Sequence, residues 1–307
     1  MTAPNPRQRR GPMCGIVGLF LKNPALRPDL GAMLSDMLIT MTDRGPDSAG
    51  LAIYGEDSGA LKITVQSDRP DEDFAGLDAA LSAQIGVPVP LTRRDTHAVL
   101  DVPPQARDAA LSWLDARGLR IMSTGRGMEI YKEVGLPADV ATRFGIRAMG
   151  GSHGIGHTRM ATESAVTTLG AHPFSTADDQ CLVHNGSLSN HNAMRRRLAR
   201  RGIHTRTEND TEVGAAYLSA RMTDGATLAE ALEGTLRDLD GFFTFVTGTR
   251  TGFGVVRDPI ACKPAVMAET EDYVAFGSEY RALAGLPGIR TARVWEPEPA
   301  IVYFWER

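Results

Sequence analysis

The chain has 307 residues, of which 42% are hydrophobic and 23% are charged, a composition typical of a folded globular protein with a large core. Its 33 basic and 37 acidic residues give a net charge of −4, which argues against binding to nucleic acid or to an anionic membrane surface. Apolar runs fall short of the roughly 20 residues that cross a bilayer. Residues 1–13 lack the apolar core of a secretory signal, and the three cysteines show no metal-ligand spacing, so we expect a cytoplasmic protein.

The first patterned stretch is an apolar strand over 14–20 that opens with Cys14. The residues before it are polar and patternless, and we interpret 1–13 as a disordered leader that is removed or not translated. If Met13 is lost, Cys14 carries a thiol and a free α-amine, which is a nucleophile and a base on one residue. The alternative is that Cys14 is a small buried hydrophobe in an edge strand.

Apolar residues at helical spacing predict a helix over 29–42, and a strand follows over 49–54. The sequence pattern changes from about residue 55 to 125. We interpret this stretch as an inserted α/β segment that contains no recognisable catalytic or binding motif. Its predicted elements are a strand over 61–66, a helix over 71–83, a linker over 86–90, a strand over 97–102, a helix over 104–117 and a strand over 120–123, the last three forming a βαβ-like unit. His97, a lone histidine within it, is expected to be structural.

Two candidate substrate-binding segments follow the insertion. Residues 154–162 form a strand that runs into a polar loop, and its arginine, Arg159, offers a planar fork that fits a substrate carboxylate. A structural ion pair is the alternative role for Arg159. The strand ending at Asn185 and Gly186 offers a side-chain N–H and a backbone N–H, the two donors of an oxyanion hole. A simple Asn-Gly turn is the alternative there, and the neighbouring His184 is expected to be a packed or capping residue.

Later segments combine charge patterns with alternating strands. A helix over 189–201 carries five arginines, which indicates a solvated face or, alternatively, a docking surface for an acidic partner. Asp210 precedes a helix over 211–222, where it either caps the helix or holds the ammonium of an amino-acid substrate. A helix over 227–239 and strands over 242–247, 252–257, 273–276 and 300–305 complete the chain. This pattern predicts stacked antiparallel sheets covered by helices.

Taken together and in order, these motifs resemble the class II glutamine amidotransferase (glutaminase) domain of the N-terminal nucleophile hydrolases. The matching segments are CGIVG at 14–18, RGPDSAG at 44–50, GHTR at 156–159 with Ala161 and Thr162, AHPF at 171–174, HNG at 184–186, NDTE at 209–212, RDP at 257–259 with Lys263 and Pro264, and Ser278 and Glu279 with Ala282 and Leu283.

The resemblance implies an α+β, four-layer αββα sandwich over 14–307, interrupted by the insertion, that hydrolyses glutamine to glutamate and ammonia. It implies that Cys14 attacks the amide, that Asn185 and Gly186 stabilise the oxyanion, and that Arg159 and Asp210, with Thr162 nearby, hold the substrate. No metal site is expected. The chain departs from the family pattern because Cys14 is not residue 1, because Met160 stands where an aromatic residue is usual, and because Gly170 replaces an asparagine.

Within this family the motifs are most similar to the stand-alone amidotransferase subunit of glutamate synthase-like systems, including the N-methylglutamate synthase type. This similarity implies that ammonia passes to a separate synthase subunit. FMN and iron–sulfur centres are then expected on partner subunits, and no cofactor is expected in this chain. Two alternatives remain: a non-catalytic glutamine-binding or regulatory subunit whose nucleophile is blocked by the leader, and an amide hydrolase of the same fold with another substrate.

Overall fold

The computed structural model describes residues 14–160 and 166–307, and the elements below are those of the described residues. The strands, in chain order, are β1 (Gly15–Leu21), β2 (Ser48–Tyr54), β3 (Leu61–Gln66), β4 (Leu91–Arg94), β5 (His97–Val102), β6 (Arg120–Gly125), β7 (Met128–Val134), β8 (His153–Arg159), β9 (Phe174–Ala177), β10 (Gln180–Leu188), β11 (Gly241–Gly248), β12 (Gly252–Arg257), β13 (Val266–Glu269), β14 (Tyr273–Gly277), β15 (Arg293–Trp295) and β16 (Val302–Glu306). The α-helices are α1 (Leu30–Ile39), α2 (Pro70–Asp73), α3 (Leu77–Ile85), α4 (Arg107–Asp115), α5 (Pro137–Arg143), α6 (His191–Ala199), α7 (Asp210–Thr223) and α8 (Leu228–Asp238).

Two antiparallel sheets form the centre of the molecule. The larger has seven strands in the order β15-β13-β14-β1-β8-β2-β7, and the smaller has five in the order β16-β12-β11-β10-β9. Strand β1 is the middle strand of the larger sheet, between β8 and β14, so it is not an edge strand.

Side chains alternate along β1 between two hydrophobic cores, as the pleat of a strand requires. Val17, Leu19 and Leu21 pack with α1 and α5 on the outer face, whereas Ile16 and Phe20 pack between the two sheets. A third core joins the five-stranded sheet to α6, α7 and α8. Helices therefore cover both outer faces of the stacked sheets, which is the predicted α+β, four-layer αββα sandwich.

Residues 61–125, within the segment interpreted as an insertion, form a separate four-stranded antiparallel sheet in the order β4-β5-β3-β6, with its own hydrophobic core. Strands β5 and β6 flank β3, so the predicted βαβ-like unit is split by a strand from earlier in the chain. The result is a βαββαβ arrangement. The predicted helix over 71–83 is two helices, because Gly76 adopts a left-handed φ of 66° between α2 and α3.

Several short elements were not predicted from the sequence, namely β4, β7, β9, β13, β15 and α5. The helix predicted over 189–201 is the shorter α6. Within 14–160 and 166–307, the helices are too short or too polar to cross a membrane.

Candidate active site

Cys14 lies half-buried immediately before β1. Its carbonyl oxygen accepts two hydrogen bonds of 3.1 Å, one from Arg44 Nε and one from Asn185 Nδ2. The donors come from segments 30 and 171 residues away in sequence. Two independent parts of the fold therefore hold the backbone of the candidate nucleophile.

Side-chain oxygens hold the first residues of β1 as well. Gly15 N donates to Thr158 Oγ1 at 3.2 Å, and Ile16 N donates to Ser278 Oγ at 2.9 Å. Thr158 belongs to β8 and Ser278 follows β14, the two strands that flank β1. The start of β1 is thus anchored on both sides, which restricts where the Cys14 thiol can point.

Burial raises the pKa of the Cys14 thiol. Hydrogen bonding with the backbone of Met160 and the positive charges of Arg159 and Lys263 act in the opposite direction without overcoming burial. The thiol is therefore protonated near neutral pH, and a reaction at its sulfur requires a base.

Arg44 is 7% exposed and forms a 2.5 Å ion pair with Glu279 while its Nε bonds to Cys14. The loop that follows packs directly on β8, because a Cβ built on Gly45 would lie 2.6 Å from backbone atoms of Arg159. Asp47 N also donates to Arg159 O at 3.1 Å. The RGPD motif therefore places Arg44 against the backbone of Cys14, and its loop supports the end of β8, where Arg159 lies.

Asn185 and Gly186 are interior residues of β10, opposite Thr244 and Phe243 of β11. The alternative of an Asn-Gly turn is therefore wrong. Gly186 has a φ of 148°, and a Cβ there would lie 1.9 Å from Phe242 O. Glycine is required at this position by both its conformation and the close approach of β11.

Asp210 is the first residue of α7, and the N-cap is Asn209, whose side chain accepts from Thr211 N. The capping role expected as an alternative for Asp210 is thus wrong by one position. Its Oδ2 instead accepts from Leu188 N at 2.9 Å, three residues beyond Asn185 on the chain. Burial by itself would raise the pKa of Asp210, but His184 Nδ1, 3.7 Å away, and Leu188 N–H lower it to about 2. The carboxylate is charged at neutral pH.

His184 is buried and bonds to Thr211 Oγ1 at 3.1 Å, so it packs against the first turn of α7 as expected. Arg159 is the last residue of β8. Thr162, the remaining candidate, lies outside the described residues.

The structure thus joins Cys14 directly to Asn185. Arg159 ends β8, the strand that pairs with β1, and Asp210 begins α7 and accepts a hydrogen bond from Leu188 of β10. Sequence reasoning assigned no role to four residues of the site: Arg44, Thr158, Lys263 and Ser278. Each lies within or beside a motif that carried the family resemblance, which was the signal available. Residues 14–160 and 166–307 contain no cluster of histidine, cysteine and carboxylate side chains that could hold a metal ion.

A family described as the glutamine amidotransferase domain matches residues 157–285. The chain is also 66% identical over 303 residues to the glutamine amidotransferase-like protein GlxB of Rhizobium meliloti (strain 1021), covering 96% of this chain and 98% of that protein. The chain belongs to the class II glutamine amidotransferase family. This assignment confirms the predicted family and the predicted enzyme class.

A second relative of this amidotransferase, from Methanothermobacter thermautotrophicus and named as a glutamine amidotransferase, is 32% identical over 96% of this chain and 100% of its own length. Among solved structures, the glutamine phosphoribosylpyrophosphate amidotransferase of B. subtilis, in complex with ADP and GMP, superposes with a TM-score of 0.61 at 19% identity. That match covers 95% of this chain but 47% of the other, so this amidotransferase spans about half its length. The likeness confirms the fold.

Proposed function

We propose that this amidotransferase hydrolyses L-glutamine to glutamate and ammonia, with Cys14 as the nucleophile and its own α-amine as the base. The observation that carries the proposal is the 3.1 Å hydrogen bond from Asn185 Nδ2 to the carbonyl oxygen of Cys14. It places a side-chain amide donor next to the residue that would bear the reacting sulfur. Family membership supports glutamine as the substrate.

The chemistry follows from the protonation state of the thiol. Burial raises the pKa of the Cys14 thiol, so the thiol is protonated before the reaction. As the sulfur attacks the side-chain carbonyl carbon of glutamine, its proton passes to the α-amine of Cys14. The resulting α-ammonium of Cys14 protonates the leaving nitrogen, the C–N bond breaks, ammonia departs, and a thioester remains. Water attacks the thioester, giving one proton to the α-amine, and the C–S bond breaks to release glutamate and restore the thiol.

Negative charge develops on the amide oxygen in both steps. We assign its stabilisation to the Asn185 side-chain amide and the Gly186 backbone N–H, which stand side by side in β10. An amide has two N–H protons, so Asn185 can keep its bond to Cys14 O and still donate to the oxyanion. A rigid strand keeps both donors preorganised, which is what makes such donors effective.

The two charged groups of the glutamine backbone require partners of opposite sign. We assign the α-carboxylate to Arg159 and the α-ammonium to Asp210, whose pKa of about 2 keeps it charged. We propose Thr162 as a further substrate-binding residue, as the family resemblance implies. Two clamps of opposite charge select a zwitterion, because an analogue that lacks either group leaves a buried charge unpaired.

The base in this scheme exists only if Cys14 is the first residue of the mature chain. We therefore propose that residues 1–13 are absent from the active enzyme. We further propose that ammonia passes to a separate synthase subunit of a glutamate synthase-like complex, with FMN and iron–sulfur centres on the partner. The resemblance of the motifs to stand-alone amidotransferase subunits supports this second step.

The test is glutamate release from added glutamine by protein whose N-terminus has been determined by intact mass. Protein beginning at Cys14 should release glutamate and ammonia in equal amounts, and Cys14→Ala should release neither. If protein beginning at Cys14 binds glutamine but releases no glutamate, with or without subunits that co-purify from its host, the non-catalytic binding subunit becomes the better reading. Co-purification of a flavin-containing partner from the host tests the synthase assignment.

A further inference from the structure

A cavity of about 420 Å³ lies between the inserted sheet and the body of the enzyme. Four consecutive residues of β6 and four of β9 line it, and both are edge strands of their sheets. Beyond the end of β9, Asp179 N donates to Thr124 O of β6 at 2.8 Å. Helix α4 and residues 203–207 contribute the other walls. The volume is within the range that holds small organic molecules.

The walls of the cavity combine basic, acidic and apolar groups. Arg107 and Arg206 supply guanidinium groups, Asp115 and Glu212 supply carboxylates, and Leu111, Phe174 and Ile203 supply apolar surface. Arg107 is already engaged by Asp178 in a bidentate pair. Arg206 has only a loose ion pair, 3.4 Å from Asp115, and exposed His204 makes no hydrogen bond or ion pair to other residues of the described ranges.

Two buried polar side chains at the cavity, Lys132 and Glu212, are hydrogen-bonded to the loops around it. Lys132 Nζ donates to the carbonyl oxygens of Leu169, Ala171 and Pro173 at 2.7 to 3.3 Å. The Glu212 carboxylate accepts from Arg206 N, Thr207 N and Thr207 Oγ1 at 2.6 to 2.8 Å. A ligand therefore meets spare N–H donors on Arg206 and His204, while Lys132 and Glu212 hold the surrounding loops.

These loops lead to the groups assigned to glutamine. The loop held by Lys132 packs on Arg159, since a Cβ built on Gly170 would lie 3.5 Å from Arg159 Nη1. Glu212 lies two residues after Asp210 in the first turn of α7, and its bonds hold the backbone of Arg206. A ligand that draws Arg206 toward it would shift the loop that is bonded to this turn.

We propose that this cavity is a regulatory site for a small organic acid, a metabolite with one or two carboxylates, whose binding changes the affinity for glutamine. The regulatory part rests on the proposed function, whereas the binding part does not. Arginine forks fit carboxylates, and the apolar walls favour a carbon skeleton over a bare inorganic anion. The coupling is reciprocal, so glutamine must change the affinity for the acid by the same factor.

The test uses the full chain with Cys14→Ala, which cannot turn over glutamine, and titration calorimetry with succinate, propionate and inorganic phosphate. We expect succinate or propionate to bind below about 10 mM and to change the glutamine Kd at least about fivefold. Arg206→Gln should weaken acid binding about tenfold or more, as should Ser112→Trp, which fills the cavity from an exposed position on α4. Arg196→Gln, which removes an exposed arginine of α6 that does not line the cavity, is the matched control.

The proposal is overturned if neither acid binds, if binding is unchanged in both Arg206→Gln and Ser112→Trp, or if phosphate binds as well as the acids. Acid binding that depends on Arg206 but leaves the glutamine Kd unchanged overturns the regulatory part. Failure of the proposed function is distinguishable, because acid binding would persist while Cys14→Ala fails to bind glutamine or while protein that begins at an intact Cys14 fails to hydrolyse it.

Discussion

Asn185 donates a hydrogen bond of 3.1 Å from its side-chain nitrogen to the carbonyl oxygen of Cys14, across 171 residues of sequence. The contact ties β10 of the five-stranded sheet to the start of β1 in the seven-stranded sheet. In the proposed mechanism, the Asn185 side chain therefore has two roles: it holds the backbone of Cys14, and it stabilises the oxyanion that forms on the substrate.

Replacing this donor tests its proposed role in the transition state. We expect Asn185→Ala to lower kcat about 10² to 10³-fold, the usual effect of losing one oxyanion donor, with a smaller change in KM. Steady-state glutamate release measures both constants. Asn192→Ala, at an exposed position of α6, should leave both unchanged. A fall in thermal stability that accounts for the lost rate would instead indicate a purely structural role for Asn185.

Asp210 is proposed to recognise the α-ammonium of glutamine. We expect Asp210→Asn to raise KM for glutamine about 100-fold, because truncating one side of a buried charge pair commonly costs about 2–5 kcal/mol. The analogue 4-carbamoylbutyrate lacks the ammonium group, so wild type and variant should hydrolyse it equally slowly. Asp240→Asn, at an exposed position just before β11, is the control. Equal losses on glutamine and on the analogue would contradict the assignment.

Arg44 contacts Cys14 O and Glu279 at the same time. Lysine carries a single ammonium group in place of the planar guanidinium with several N–H donors, so Arg44→Lys keeps the positive charge but not both contacts. We expect kcat to fall about tenfold with KM nearly unchanged, since the substrate clamps are elsewhere. Arg281→Lys is the matched control, because Arg281 pairs with the same carboxylate at 2.8 Å from a more exposed position. Identical kinetics in the two variants would argue against a positioning role for Arg44.

The α-amine of Cys14 should set the pH dependence of the reaction. A neutral amine is required as the base, and an α-amine has a pKa of about 7.7–8.0. We therefore expect kcat/KM to rise about tenfold per pH unit from pH 6 and to level off above about pH 8. Protein that retains residues 1–13 has an amide in place of this amine and should be inactive at every pH. Equal activity of protein with and without residues 1–13 would show that the α-amine of Cys14 is not the base.

Buried histidines should make folding stability depend on pH. Burial lowers the pKa of His97 to about 3, assisted by the charges of Lys132 and Arg143. Between this value and about 6.5, the unfolded chain binds a proton that the folded chain does not, so stability is lost as the pH falls. We expect His97→Leu to reduce the slope of unfolding free energy between about pH 6 and 4.5 by up to about 1.4 kcal/mol per pH unit.

Denaturant titrations across this pH range measure the slope. His97→Leu also removes a ring nitrogen, Nε2, that has no hydrogen-bond partner among the described residues. His204→Leu, at an exposed position, is the control. An unchanged slope in His97→Leu would show that His97 gains its proton while the chain is still folded.

Local patterns in the sequence determined several elements completely. The bounds predicted for β3, β5 and β12 are those of the structure. Each is a short run that contains residues of high strand propensity and is bounded by turn-forming or charged residues. The order of the motifs was sufficient to predict the family and the four-layer fold. Each motif can be read within a few residues, whereas the family and the fold were implied by the resemblance of the whole ordered series to a known family.

Tertiary structure decided what lies between segments that are distant in the chain. The short strands β13 and β15 exist because their neighbours pair with them, and the placement of β3 between β5 and β6 is not encoded in any local period. The approach of Asn185 to Cys14, the bond from Asp210 to Leu188 and the cavity against the insertion also arise from packing. Side-chain periodicity reports which face of an element is buried, whereas the partner on that face is selected by the free energy of the whole fold.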